Sequence, residues 1–178
     1  LSYLGASGDF QNLNRPLAVL DIGGGSTELV YPEQDALHGV SVNLGAVRLL
    51  EHPELLDTMG ATLETLKGAS FPANSALIAV GGTNTCLMAI ELGLTQYDGS
   101  KIHGQVLSKA RVDYWCETLF AMTQEERESI PGMKRKRADI MPYGVLILQK
   151  TMELLGVSEV IISDKGLVYG LLLEAFQS

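Results

Sequence analysis

The segment Leu17-Ala-Val-Leu-Asp21-Ile-Gly23-Gly24-Gly25-Ser26-Thr27-Glu28-Leu-Val-Tyr31 carries the residues best suited to chemistry. An apolar run delivers a carboxylate to its end, consecutive glycines turn the backbone, and a second β-rich run leads away. Tandem glycines let main-chain N–H groups converge on an anion with no Cβ in the way. Asp21 and Glu28, at the two edges of the turn, suit a metal ion and a water held against that anion. Asp21 is expected to position Mg²⁺ through water and Glu28 to orient or activate the attacking water. Ser26 and Thr27 would offer hydroxyls to a phosphate, although turn residues also bond their own backbone in this way. The plain alternative is a glycine-rich turn in which Asp21 caps the bend and Glu28 lies on a solvated strand.

Two better-known phosphate motifs do not apply. A dinucleotide fingerprint requires a helix directly after its glycines. Here Thr27 to Tyr31 is strand-like and Pro32 follows. A Walker A loop requires Gly-Lys-Ser/Thr, which the chain lacks. The phosphate site is therefore expected on a β-hairpin.

Three further clusters stand out. Gly81-Gly82-Thr83 follows the apolar run Ala76–Val80 and opens a helical pattern, a setting where free N–H groups and the helix dipole favour an anion. Simple packing of helix on sheet, with Thr83 as N-cap, is the alternative. Lys134-Arg135-Lys136-Arg137 places four cations in succession in an acidic chain. At a helix start they oppose the dipole, so an extended polyanion is the candidate partner. Ser163-Asp164-Lys165-Gly166 repeats the pattern of strand, polar turn and helix and adds Lys165 as a candidate polyanion contact. His38 and His103 have no metal-ligand spacing with each other or with a cysteine and are read as structural. No Ser/His/Asp or Cys/His nucleophile set is apparent.

The elements that must position these groups follow from periodicity. Strands are expected over about Leu17–Ile22, Thr27–Tyr31 and His38–Asn43. A helical pattern runs from Ala46 to Lys67, divided by Pro53 and Gly60. Ala76–Val80 reads as a strand buried on both faces, with a helix from Gly81 to about Leu92. Ser108 is the expected N-cap of a helix to Met122, and Thr123-Gln-Glu-Glu126 an expected capping box. A helix over Arg135–Leu155, irregular at Pro142 and Gly144 and ended by Gly156, precedes the strand Val160–Ser163 and a last helix over Leu167–Phe176. The order βββαβαβα predicts an α/β fold: a mixed five-stranded sheet with flanking helices, the ribonuclease-H-like architecture of an actin-like ATPase half.

Length and charge set bounds. The 178 residues, 46% hydrophobic, suffice for one well-buried domain over 1–178. No apolar run is long enough to span a bilayer, so no membrane partner is expected. Cys86 and Cys116 both fall among apolar helix neighbours and read as reduced core thiols, which fits a cytoplasmic protein. A net charge of −8 argues against nucleic acid as a partner.

The chain closely resembles the exopolyphosphatase / guanosine pentaphosphate phosphohydrolase family of the actin-like ATPase superfamily. The similarity is carried by Asp21–Glu28, Asn43-Leu-Gly-Ala-Val-Arg48, Ala79-Val-Gly-Gly-Thr83, His103-Gly104, Arg137-Ala-Asp139 and Ser163-Asp-Lys-Gly-Leu167, in the family's order. It implies that Asp21 and Glu28 are the metal- and water-handling acids, that Gly23 to Thr27 form the second phosphate loop, and that terminal phosphates are removed with Mg²⁺. Family members begin with another ribonuclease-H-like domain bearing an Asp-x-Gly-Ser loop, and a further catalytic Glu would fall just before Leu1. The chain thus resembles the C-terminal half of a two-domain module. It departs from the family at Val168, where members commonly carry Arg.

These readings lead to a Mg²⁺-dependent phosphoanhydride hydrolase domain acting on polyphosphate or guanosine pentaphosphate, inactive without its first domain. That domain and a second copy of the chain are its candidate protein partners. The alternatives are a noncatalytic polyphosphate or alarmone sensor and an ATP-dependent kinase of the same superfamily.

Overall fold

In the computed structural model, which describes residues 2–34, 36–68 and 71–166, one six-stranded mixed sheet organises the chain. After helix α1 (Ser2–Ser7) and a 3-10 turn over 8–13 come strands β1 (Leu17–Ile22), β2 (Thr27–Glu33) and β3 (Ala36–Val42). Helices α2 (Ala46–Glu51) and α3 (Met59–Glu64) lead to β4 (Ala76–Val80) and α4 (Gly82–Glu91). Then follow α5 (Gly99–Ile102), β5 (Val106–Ser108), α6 (Lys109–Ala121), α7 (Gln124–Glu128), α8 (Met141–Leu155) and β6 (Glu159–Ile162). The strand order is β3-β2-β1-β4-β6-β5. β1, β4 and β6 run parallel, while β2, β3 and β5 are antiparallel to their neighbours.

The burial of each strand follows from its place. Every residue of the central β4 is buried, because helices cover both faces there. β2 alternates between buried and half-buried, and the edge strand β3 is largely exposed. One face of the sheet carries the larger core, in which Leu20, Ile22, Leu29 and Tyr31 pack against Leu49, Leu87, Val145 and Leu148. The other face carries a smaller cluster of Leu17, Val19, Ile78, Val80 and Ile161 beneath Ala6 of α1. Side chains two apart in a strand share a face, so Asp21 lies on the α1 side with Val19.

Several expectations need correction. The sheet has six strands rather than five, because Val106–Ser108 pairs antiparallel with β6. Three residues give too short a run for an alternating pattern to show. The division expected at Pro53 is present, with two short helices joined by a 3-10 turn at Pro53–Leu56, since Pro53 lacks the N–H that a continuing helix needs, whereas Gly60 breaks nothing and lies inside α3. The helix expected from Arg135 begins at Met141 instead; Arg135–Arg137 is a separate 3-10 turn. Pro142 sits in the first turn of α8, where its missing N–H costs nothing. The capping residues behave as expected: Ser108 accepts from Arg111 N–H, Thr123 and Glu126 form a full capping box, and Gly156 ends α8 in the left-handed region with φ 67°. The helix expected over Leu167–Phe176, and Val168 with it, lies outside the described residues. Among the described residues, no helix is long and apolar enough to cross a membrane.

The contact that fixes the first glycine turn is unusually close. A Cβ built on Gly45 would lie 2.4 Å from the carbonyl carbon and oxygen of Gly24 and 2.5 Å from Gly25 N. Backbone cannot yield as a side-chain tip can. Gly45→Ala is therefore expected to cost about 1–3 kcal/mol of stability through overpacking, read as a lower urea midpoint at unchanged slope. A midpoint equal to that of the unmodified chain would contradict this packing.

Candidate functional site

The C-terminal ends of β1 and β4 meet at one edge of the sheet, and each opens into a glycine turn. In the parallel pair, Asp21 stands beside Val80, so the turns at Gly23–Ser26 and Gly81–Gly82 are neighbours. Between them lies a cleft of about 600 Å³, lined by Asp21 to Gly24, Ala46, Val47, Gly81 to Thr83, Lys134 to Arg137 and Ile140. Such a crevice outside the carboxyl ends of parallel strands is the usual ligand position in open α/β sheets.

The first turn is closed by Gly23 N–H donating to Ser26 O at 2.9 Å. Its other carbonyls are taken by α2: Ala46 N–H donates to Gly23 O at 3.0 Å, Val47 N–H to Gly24 O at 2.9 Å, and Arg48 N–H to Gly24 O at 3.0 Å. The peptide unit is planar and trans, so the N–H groups of Gly24 and Gly25 point away from α2. Neither donates to a backbone acceptor among the described residues.

Asp21 and Glu28 are direct partners across the β1–β2 ladder, which places both carboxylates on one face. Opposed residues have Cβ atoms about 4.5–5.5 Å apart. Both side chains are half-buried. Ser41 Oγ donates to Glu28 Oε1 at 3.1 Å. Asp21 leans over the second turn: a Cβ on Gly81 would meet its Oδ1 at 2.7 Å, and Gly81 also has φ +90°. Glycine is thus required there twice over. Glu28 is beside Asp21 yet is not among the residues that line the cleft.

The remaining expected contacts divide. Thr27 is fully buried and donates its Oγ1 to Leu44 O at 2.6 Å, so its hydroxyl serves the loop rather than facing the cleft. Ser26 is half-buried and outside the cleft lining. Gly25 lies toward a second recess of about 320 Å³ on the far side of the turn, shared with Arg48 and His52. Gly82 and Thr83 begin α4, whose N-terminus has no side-chain cap. Thr83 borders the cleft, while its side chain packs on α8 so closely that a Cβ on Gly144 would be 2.7 Å from Thr83 Oγ1.

The basic run sits across the cleft from the glycines. The Arg137 guanidinium covers Gly82, with Nη2 2.1 Å and Cζ 2.3 Å from where a Cβ would stand. Lys134 Nζ lies 3.9 Å from the centre of the Tyr97 ring, and Arg135 Nε donates to Glu128 Oε2 at 3.2 Å. Lys136 is exposed. Lys165 stands apart from this group. Its Nζ donates to Asp9 Oδ2 at 2.5 Å, and His103 Nε2 is 2.9 Å from the same oxygen. The Lys165 hydrogen bond, aided by His103, holds the Asp9 carboxyl below the usual carboxylate range. His38 packs against the Tyr31 ring and pairs with Glu33 at 3.2 Å.

Residues that the sequence reading did not single out complete the arrangement. Arg48 Nε donates to Gly25 O at 2.9 Å, anchoring the turn from outside. Arg127 donates to Leu119 O, Met122 O and Ala138 O, tying the end of the basic segment to α6. The position of Arg48 at the end of Asn43–Arg48 was a usable signal; nothing local marks Arg127 or Tyr97. Cys86 and Cys116 are free and buried, and burial pushes the Cys116 thiol up to about 11, so both are poor nucleophiles.

The sequence profile of the Ppx/GppA phosphatase family matches residues 1–178. Exopolyphosphatase 2 of Mycobacterium tuberculosis is 27% identical over 190 residues, covering 97% of this chain and 60% of that protein. The chain therefore spans about 60% of the length of that curated relative. A bifunctional 3-dehydroquinate synthase/phosphatase of Fusobacterium nucleatum is 27% identical over 178 residues, covering 91% of this chain and 26% of that protein. The crystal structure of the Aquifex aeolicus Ppx/GppA phosphatase, type II variant, superposes with TM-score 0.85 at 28% identity, over 97% of this chain and 61% of that one. An exopolyphosphatase structure from Cytophaga hutchinsonii, at 22% identity and TM-score 0.74, covers 92% of this chain and 57% of its own and shares the fold. The architecture is the actin-like ATPase fold that the element order predicted, with one additional short strand.

Tyr97, in contact with the cleft residue Lys134, donates its hydroxyl to Asp164. Burial first, and then that hydrogen bond, push its phenol up to about 12 from 10.0. A raised folded pKa gives stabilisation that is complete below the unfolded value and is lost as pH rises through the folded one. A spectrophotometric titration is expected to resolve a phenol near 12 that disappears in Tyr97→Phe. Ionisation of Tyr97 at the ordinary value would contradict the hydrogen bond.

Proposed function

The chain belongs to the Ppx/GppA phosphatase family, and from that premise we propose that it is the second ribonuclease-H-like half of a two-domain phosphoanhydride hydrolase. Its substrate on this reading is inorganic polyphosphate or guanosine pentaphosphate, from which the terminal phosphate is released. The observation that carries the proposal is the convergence of two glycine turns, the Asp21 carboxylate and Lys134 to Arg137 on one cleft. Backbone donors, an uncapped helix N-terminus and guanidinium groups recognise phosphoryl oxygens through complementary charge.

The donor set suits Mg²⁺. Among the described residues, no group of three or more His, Cys, Asp or Glu could hold a metal ion. Mg²⁺ retains several waters and typically takes one or two carboxylates together with substrate phosphates. Asp21, set beside the second turn by the bare Gly81, would hold it, with Glu28 adjacent. When bound, the ion supplies charge neutralisation on the transferring phosphoryl group.

The chain's own residues account for the rest of the step. The Gly24 N–H and the first turn of α4 hold the phosphoryl oxygens. Arg137, above Gly82, stabilises the charge that builds on the leaving phosphate. Glu28 Oε2, the oxygen that Ser41 does not engage, accepts a proton from the attacking water and orients it in line. The water oxygen bonds to the terminal phosphorus as the bridging P–O bond breaks, and the electron pair leaves with the shortened chain.

In the complete protein, Glu28→Gln is expected to lower kcat by about 10²–10⁴-fold, the usual contribution of a positioned base, with substrate binding retained. Phosphate release from polyphosphate in Mg²⁺ is the measurement, and unchanged kcat rules out this role. The 178-residue chain alone is expected to bind polyphosphate with near-zero release. A complete protein that binds without releasing phosphate would favour a sensor, and one that consumes only ATP a kinase.

A further inference from the structure

The cleft has a rim that phosphate binding alone does not explain. Tyr97, 44% exposed between α4 and α5, is tied down at its hydroxyl by Asp164 in the turn after β6. Asp164 is itself fixed. Its main-chain N–H donates to His103 Nδ1 at 3.3 Å, and its Oδ2 fills the space above Gly99, 2.1 Å from where a Cβ would stand. One face of the ring holds the Lys134 ammonium, 3.9 Å from the centroid. Lys134 lines the cleft in this position.

Lysine is a poor fixed charge, because its four-carbon stem has many rotamers and immobilising such a chain costs binding free energy. A ring face attracts an ammonium without consuming its hydrogen-bond donors as a carboxylate would. The other cations of the run are held differently: Arg135 by Glu128, and Arg137 by its seat over Gly82. Lys134 is the member held on an aromatic face.

We infer that Tyr97 is a positioning residue whose ring presents the Lys134 ammonium at the mouth of the cleft, where it engages the distal phosphates of an extended polyanion. This rests on the phosphate-binding reading above and adds to it a residue that acts only through Lys134. The hydroxyl bond to Asp164 sets the ring plane, and the π-face does the holding. It follows that the ring is needed and the hydroxyl less so.

The test is calorimetric titration of the full 178-residue chain and its variants with size-fractionated linear polyphosphate. Tyr97→Leu is expected to weaken binding about two- to fivefold, the affinity equivalent of an exposed cation–π contact. Tyr97→Phe should stay within about twofold of the unmodified chain, since the ring face remains. Lys134→Ala should weaken binding at least as much as Tyr97→Leu, and the double variant no more than Lys134→Ala alone. Phenylalanines of increasing fluorination at position 97 keep the shape while draining the ring face, and should weaken binding stepwise even if Tyr97→Leu fails to fold. Unchanged or tighter binding in Tyr97→Leu, additivity with Lys134→Ala, or indifference to fluorination each overturns the role of Tyr97 and leaves the phosphate reading standing. No binding by the unmodified chain overturns both.

Discussion

The first turn of α2 is closed by the carbonyls of Gly23 and Gly24, and the geometry of the first glycine turn, on which the site is built, follows from that exchange. A helix N-terminus leaves N–H groups without intrahelical partners, and a side-chain cap is the common remedy. Here Gly45 precedes the helix and supplies no side chain. The glycine turn supplies acceptors instead, and in doing so turns its own donors outward. One set of hydrogen bonds thus caps a helix and turns the Gly24 and Gly25 N–H groups away from it. It requires Gly45 to touch Gly24 at backbone distance, and it uses Thr27 and Arg48 as struts on either side.

Electrostatics in this molecule is local. The chain carries a net charge of −8, yet the cleft is faced by cations and by the positive end of α4. The run Lys134–Arg137 looked misplaced as the start of a helix, where acids are preferred. It is a separate 3-10 turn ahead of α8, so that objection disappears. The turn is held by tertiary means. Met133 is buried, and Gly132, with φ +91°, packs on Ala89 so tightly that a Cβ would be 2.3 Å from its carbonyl oxygen. Arg127 grips the carbonyl that follows the turn. Positive charge is thus presented at the cleft that the glycine turns line, despite the acidic balance of the chain.

The cleft and the acid pair occupy related but distinct places. Asp21 belongs to both, since it lines the cleft and stands opposite Glu28 on the face that α1 begins to cover. On the function proposed above, a substrate bound along the cations would bring its terminal phosphate toward that shared carboxylate. Matching about 60% of a curated relative, the chain presents a cleft of glycine turns, a carboxylate and cations, and phosphate binding and hydrolysis are properties proposed for it and for the longer protein.

Local patterns determined much of this. The apolar run ending in Asp21, the triple glycine, and the run into Gly81-Gly82 each have a signature within a few residues, because strands and glycine turns are short-range structures. Caps at Ser108, Thr123 and Gly156 were legible for the same reason. The placement of Asp21 and Glu28 at the two edges of one hairpin turn was legible too, and the register of the hairpin then made them direct partners. What only the tertiary structure decided were meetings between residues distant in sequence. These include Arg137 over Gly82, Lys134 on Tyr97, Lys165 drawn away to Asp9, and Thr27 turned inward to Leu44. The short strand at Val106–Ser108 belongs with them, since it exists only through its partner β6. In each case the side chain had several chemically reasonable partners, and packing, which no local window contains, selected one.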